Sequence, residues 1–439
     1  MRKIVLIAFI LLSITIGYAQ YCTQIYQKSV RTLRVRYAEE NALLQRPVLF
    51  LKNGVVDGTD GMNTLEISFD ELSHNVRQYS YKVLHCNMDW SVSGISSYEY
   101  VDGFTTSDMI DYEFSVNTQQ EYIHYSFVFP NEDMQLKASG NYMLQVYEDG
   151  DQDNIVAQVC FLVVEPLVSI DAKVRPNTDI ELNGRYQQLD IDVQTAALNV
   201  RDAQDIKVVV TQNGRIDNQV TLEKPTFVEP KRLRYTNQAI LIFEGGNEFR
   251  RFDSYSSYYA GYHVDIVEYK LGEYHVLLDA DDVRGVLAKG ANREGTVYLT
   301  EPDVNGQWVI NCEKADYPDV EAEYMWVHFY LPVQHPLMNV NVFVGGDLFY
   351  NQYTAENLMQ YDVDQKCYFA RAYLKQGGYN YMYYAVSVED RWQTRDSRVE
   401  VTTLPLEGSH WQTENEYSIS VYYRPFGEKY DRLVGYKVQ

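Results

Sequence analysis

The stretch LHCNMDWS, residues 84–91, sets a histidine, a cysteine and an aspartate close together. His85 could act as a base, Cys86 as a nucleophile and Asp89 as the carboxylate that orients the base. That chemistry requires the side chains to converge. The surrounding YSYKVLHCNMDW reads as a strand, in which successive side chains point to opposite faces. Leu84, Cys86, Met88 and Trp90 then share one face, and His85, Asn87 and Asp89 share the other. His85 and Cys86 diverge, and Asp89 lies roughly 13 Å from His85 along the strand. We therefore expect Cys86 to be a small buried apolar group and the trio to be structural.

Other chemistry is no better supported. EDGDQDN, residues 148–154, places Asp149, Asp151 and Asp153 at the first ligand spacings of a calcium loop. The sixth loop position is Asn154 instead of Gly, and the twelfth is Cys160 instead of Glu, so a hairpin turn is the better reading. The eight histidines are scattered, without HExxH, GxSxG or a phosphate-binding glycine loop. The sequence implies no catalytic residues, no metal and no cofactor.

The elements that position these residues read as strands. Leu33, Val35 and Tyr37 alternate with Arg34 and Arg36, and Leu189, Ile191 and Val193 with Asp190 and Asp192. Val340, Val342 and Val344 behave alike, as do Tyr417, Ile419, Val421 and Tyr423. NGR at 213–215, GGN at 245–247 and DGD at 149–151 supply turns. The 39 tyrosines, against 17 phenylalanines, suit pleated half-buried surfaces and also recognition surfaces. The fold expected is all-β, in tandem immunoglobulin-like sandwiches.

A Gly-x-Tyr start to a strand recurs at Gly140, Gly272 and Gly377, a spacing that suits three modules. FLVVEPLVSI at 161–170 runs from one strand into another through Pro166, and CEKADYPDVEAEY at 312–324 is a polar connector. We expect a signal peptide over 1–19, then modules over 20–165, 166–318 and 319–439. The signal rests on Arg2 and Lys3, the apolar run Ile4–Gly17 and a small residue, Ala19, before Gln20. Tyr21 disfavours lipid attachment at Cys22. Five cysteines without a CxxC do not make a disulfide scaffold. Net charge of −23 disfavours nucleic acid and anionic lipid as partners, and no segment after the signal is long enough to span a membrane.

Two surfaces invite a binding reading. The tail YYRPFGEKYDRLVGYKVQ, residues 422–439, is locally basic and aromatic in an acidic chain. Arg424, Phe426, Tyr430, Arg432 and Tyr436 have the composition of interface anchors, and Pro425 would end the preceding strand. NVFVGGDLFYNQY with GGYNYMYY is similar to starch- and glycogen-binding sandwiches, although Phe349, Tyr350 and Asn351 stand where such modules carry tryptophan. A secreted carbohydrate-binding protein is thus the alternative function.

Several stretches together resemble one family. They are LHCNMDW, YEYVDGF, YSFVFPNEDMQLKASGNYMLQVYED, VVVTQNGRIDN, FEGGNEFRRFD and GSHWQTENEYSISVYYRPFGEKYDRLVGYK. This set resembles the plug protein of the type IX secretion system of Bacteroidota, in order, over nearly the whole chain after the signal. The resemblance implies a non-enzymatic periplasmic protein. Its partner would be the large outer-membrane β-barrel translocon, whose lumen it blocks when no cargo is engaged. Cargo of that system crosses folded, so the pore is wide and would leak if open.

Overall fold

The computed structural model describes residues 23–39, 46–287, 297–388 and 400–439. The expected signal peptide and Cys22 lie outside the described residues. Those residues form three β-sandwiches, each around its own apolar core. None of their helices is long and apolar enough to cross a membrane, which says nothing about strands.

In the first sandwich, strand Gly140–Glu148 is central, between Ile155–Val164 and Tyr79–Cys86. The facing sheet runs Val30–Tyr37, Leu65–Glu71, Ile123–Phe129, Tyr112–Phe114. The core between them is largely aromatic. Phe69 stacks on Tyr125 at 5.4 Å, and Tyr142 on Phe161 at 5.5 Å. Among the described residues the largest fully buried side chains are nearly all tyrosines, so much of the tyrosine content serves packing. Their hydroxyls find partners: Tyr142 donates to Ala138 O at 2.8 Å, and Tyr379 donates to Lys375 O. Each bond reaches back four residues past the glycine, which gives the Gly-x-Tyr recurrence a structural reason in two of its three occurrences.

The second sandwich faces Ser169–Arg175, Tyr186–Gln194 and Arg232–Tyr235 against Ile206–Gln212, Tyr417–Tyr423 and Arg432–Val438. The third faces Gly377–Ser387 and its neighbours against a sheet centred on Tyr324–Pro332 and Cys367–Lys375. Strand Glu273–Leu278 joins that sheet parallel to Tyr324–Pro332.

These pairings correct the expected module limits of 166–318 and 319–439. Residues 250–278 belong to the third sandwich, with Phe252, Val264, Val276 and Leu278 in its core. Residues 417–438 return to the second, where Val208 pairs with Val421 and Tyr417, Ile419 and Val421 fill the core. Gly272 and Gly377 therefore mark two strands of one sandwich, not one strand in each of two. Local alternation identifies a strand but carries no information about a distant partner.

Candidate docking surface

The histidine, cysteine and aspartate do not converge. Strand Tyr79–Cys86 stops before Asn87, and a turn with Trp90 at φ 64° breaks the alternation. The core face is that of Tyr79, Tyr81, Val83 and His85, the reverse of the expected parity. Cys86 is nonetheless buried, as expected, on the other face, where its cross-strand neighbour Asn141 accepts from the Tyr422 hydroxyl of the C-terminal segment at 2.6 Å. Burial pushes its thiol up to about 12. Asp89 turns away and accepts from the Ser91 amide at 3.0 Å.

His85 is fully buried. Its Nε2 lies 3.1 Å from Ser139 O, an acceptor only, so Nε2 carries the proton and Nδ1 accepts from the Ser93 hydroxyl at 2.8 Å. Gly140 makes room for the ring: a Cβ there, at φ +147°, would sit 2.5 Å from Nε2. Burial holds the imidazole down at about 4. A folded value below the unfolded one means that the unfolded chain binds the proton first. His85 should therefore cost stability as pH falls from about 6.5 to about 4, about 3 kcal/mol in full. Its ring proton shifts, followed by NMR, should titrate near 4; titration near 6.5 would refute the buried neutral assignment. Native Cys86 should resist thiol reagents that label the unfolded chain at once.

The tail is a built part of the fold. Tyr417–Tyr423 and Arg432–Val438 form a hairpin that clamps the first sandwich to the second. Glu165 N donates to Leu433 O at 2.9 Å, Met88 N to Asp431 at 3.0 Å, and the Tyr422 hydroxyl to Asn141 at 2.6 Å. Of the five residues expected to dock a partner, three hold the junction of the first and second sandwiches. Tyr430 meets His85 edge-on at 4.9 Å. Arg432 pairs with Glu165 at 2.6 Å. Tyr436 packs on the cluster of Val48, Val164, Val209, Tyr422 and Leu433. Phe426 is different: it stands 104% exposed at the hairpin tip. Arg424 is partly exposed, 3.5 Å from Asp431. Lys429 ties this tip to Glu99 at 3.2 Å, next to Tyr98, which is 77% exposed.

Buried and half-buried charges join the other boundaries. Asp70 meets His124 at 2.6 Å, Lys375 at 2.6 Å and the Tyr324 hydroxyl at 2.7 Å, linking the first sandwich to the third. Arg46 reaches all three: Asp347 at 2.8 Å, Glu416 at 3.0 Å and Asn213 O at 2.9 Å. Such bonds hold the modules in fixed relative positions, since leaving any of these charges unpaired is costly.

The calcium-like stretch is a turn between strands Gly140–Glu148 and Ile155–Val164, with Asp149 and Gly150 at positive φ. Among the described residues, no group of three or more His, Cys, Asp and Glu could hold a metal ion. In the loop compared with glycan-binding modules, Phe349 packs on the third core and the Tyr350 hydroxyl accepts from Leu33 N at 3.0 Å. Those rings are used for packing. Sequence reading overlooked a second aromatic surface, the outer face of strands Tyr324–Pro332 and Cys367–Lys375. Its signal was present: Trp326, His328 and Tyr330 share one parity, as do Phe369, Arg371 and Tyr373.

The family model for the first domain of the type 9 secretion system plug protein matches residues 30–165, the extent of the first sandwich. No curated protein matches. The crystal structure of a hypothetical protein from Parabacteroides merdae ATCC 43184 is 37% identical, with a TM-score of 0.85 over 95% of this chain and 99% of that one. Dimeric latent PorU from Porphyromonas gingivalis aligns over 93% of this chain and 34% of that one at 9% identity; its TM-score of 0.14 supports no structural relation.

Proposed function

The chain belongs to the type IX secretion system plug protein family, and from that premise we propose that it is a non-enzymatic periplasmic plug. It would occlude the lumen of the outer-membrane β-barrel translocon of that system while no cargo is engaged. The observation that carries this reading is the family match over residues 30–165. A plug must not deform under the barrel's contact surface, and three sandwiches cross-linked by buried and half-buried ion pairs meet that demand. Docking must also be reversible, which suits a few exposed anchors better than a wide apolar face. We place Phe426 and Arg424 among those anchors and assign Tyr430, Arg432 and Tyr436 to holding the hairpin in place.

The test is a tagged chain recovered from detergent-solubilised outer membrane. The barrel should co-purify, and a strain lacking the chain should admit large hydrophilic solutes that the complemented strain excludes. Recovery without the barrel, together with unchanged permeability, would refute the proposal.

A further inference from the structure

A groove of about 1080 Å³ runs between residues 24–32 of the first sandwich and the outer face of the third sandwich's sheet. The register sets the floor: Trp326 lies opposite Tyr373, His328 opposite Arg371 and Tyr330 opposite Phe369. The alternate residues Met325, Val327, Phe329 and Leu331 point into the core, so these rings must face outward. Trp326 and Tyr373 lie with ring centroids 4.8 Å apart, and the Arg371 guanidinium sits 4.6 Å over the Trp326 ring. Phe369 is 38% exposed.

The charge of this groove opposes that of the molecule. Lys28, Arg31 and Arg371 line it against one acid, Glu356, which lies 3.8 Å from Arg31. Lys375 also borders it but is spent on Asp70. In a chain of net −23, such a basic aromatic strip selects an anion at short range. An extended polyanion or an anionic lipid surface would overrun the groove and meet the acidic remainder. A short segment whose carboxylates fall within the groove would not. A guanidinium fork suits a carboxylate, and flat rings beside it suit an apolar or aromatic side chain between two acids.

We propose that this groove docks an acidic, aromatic-containing segment of a partner polypeptide, with Arg371 and Lys28 holding carboxylates and Trp326 and Tyr373 forming the stacking floor. The probe is a short fluorescein-labelled peptide of alternating Glu and Tyr, titrated with the full chain by anisotropy. Binding should saturate, weaken with salt, and exceed that of the matching Lys-Tyr peptide. Arg371→Glu should weaken it about tenfold or more, and Trp326→Ala should weaken it with little change in salt dependence. Lys28→Glu, on the opposite wall and exposed, should act like Arg371→Glu without altering the melting point. Equal binding of the Lys-Tyr peptide, or unchanged affinity in both charge reversals, would overturn the proposal. So would tighter binding of oligogalacturonate at the same residues, which would make this a carbohydrate site. The assay contains no barrel, so its failure leaves the plug reading untouched, and the converse holds.

Discussion

Deleting residues 427–439 should destabilise the second sandwich and part it from the first, rather than release a free docking arm. The deletion removes strand Arg432–Val438, in which Leu433 and Val434 are fully buried. It also strips Tyr430 from the first core and Tyr436 from the cluster between the sandwiches. Losing two buried aliphatic side chains and two packed tyrosines costs at least about 5 kcal/mol. The loss exposes strand Tyr417–Tyr423 as a new edge, so the truncated chain should also aggregate. Gly435 shows how close the fit is, since a Cβ there would approach Val168 to 2.4 Å. The melting point should fall by many degrees or the protein should fail to accumulate. A truncated chain with an unchanged melting point would show that the hairpin is dispensable. Phe426→Ser is the companion test: the ring contacts no core, so stability should hold while barrel recovery falls. Barrel recovery at the normal level would remove Phe426 from the docking surface.

The same tail shows where sequence reading stops. Tyr417, Ile419, Val421 and Tyr423 are legible as a strand because alternation is local. Their partner in the sheet, Ile206–Gln212, lies some two hundred residues earlier, and nothing local names it. Arg432 and Tyr436 looked like interface anchors and are interface residues, but of an interface inside the chain. The physics of the two kinds of contact is the same, so composition alone cannot separate them. The sequence pattern sets His85 on the polar parity of Asn87 and Asp89, because neither the turn at Asn87 nor the cover supplied by Tyr430 is encoded nearby. Cys86 was read correctly as buried, although for the opposite face of the strand. The rings of Trp326 and Tyr373 were legible by parity, but their basic surroundings come from Lys28 and Arg31, far away in sequence.

Asp70→Asn should be among the most damaging single polar substitutions, costing about 3–5 kcal/mol, because it strands a buried lysine. Asp70 and Lys375 are 2.6 Å apart and almost wholly out of water. Burial alone would raise the Asp70 carboxyl, but Lys375 and His124 together hold it down at about 2. Burial pulls the Lys375 ammonium down from its ordinary value even against that carboxylate. With Asn at position 70, Nζ would lose its carboxylate and keep Asp319 O at 2.6 Å and the faces of the Tyr122 and Tyr324 rings at 4.1 and 5.8 Å. The sign of the pH effect follows from the depressed carboxyl. The unfolded chain, with Asp near 3.9, takes up the proton before the folded one does, so the contribution is complete above that value. It is lost as pH falls from about 4 through about 2, roughly 2–3 kcal/mol in all. In denaturant unfolding, the wild type should lose stability over that window while Asp70→Asn loses less. The double variant Asp70→Leu with Lys375→Met should recover much of the single-variant loss, because no unpaired charge remains buried. Additive losses in the double variant would mean that the two residues act separately and that the junction of the first and third sandwiches does not depend on their pairing.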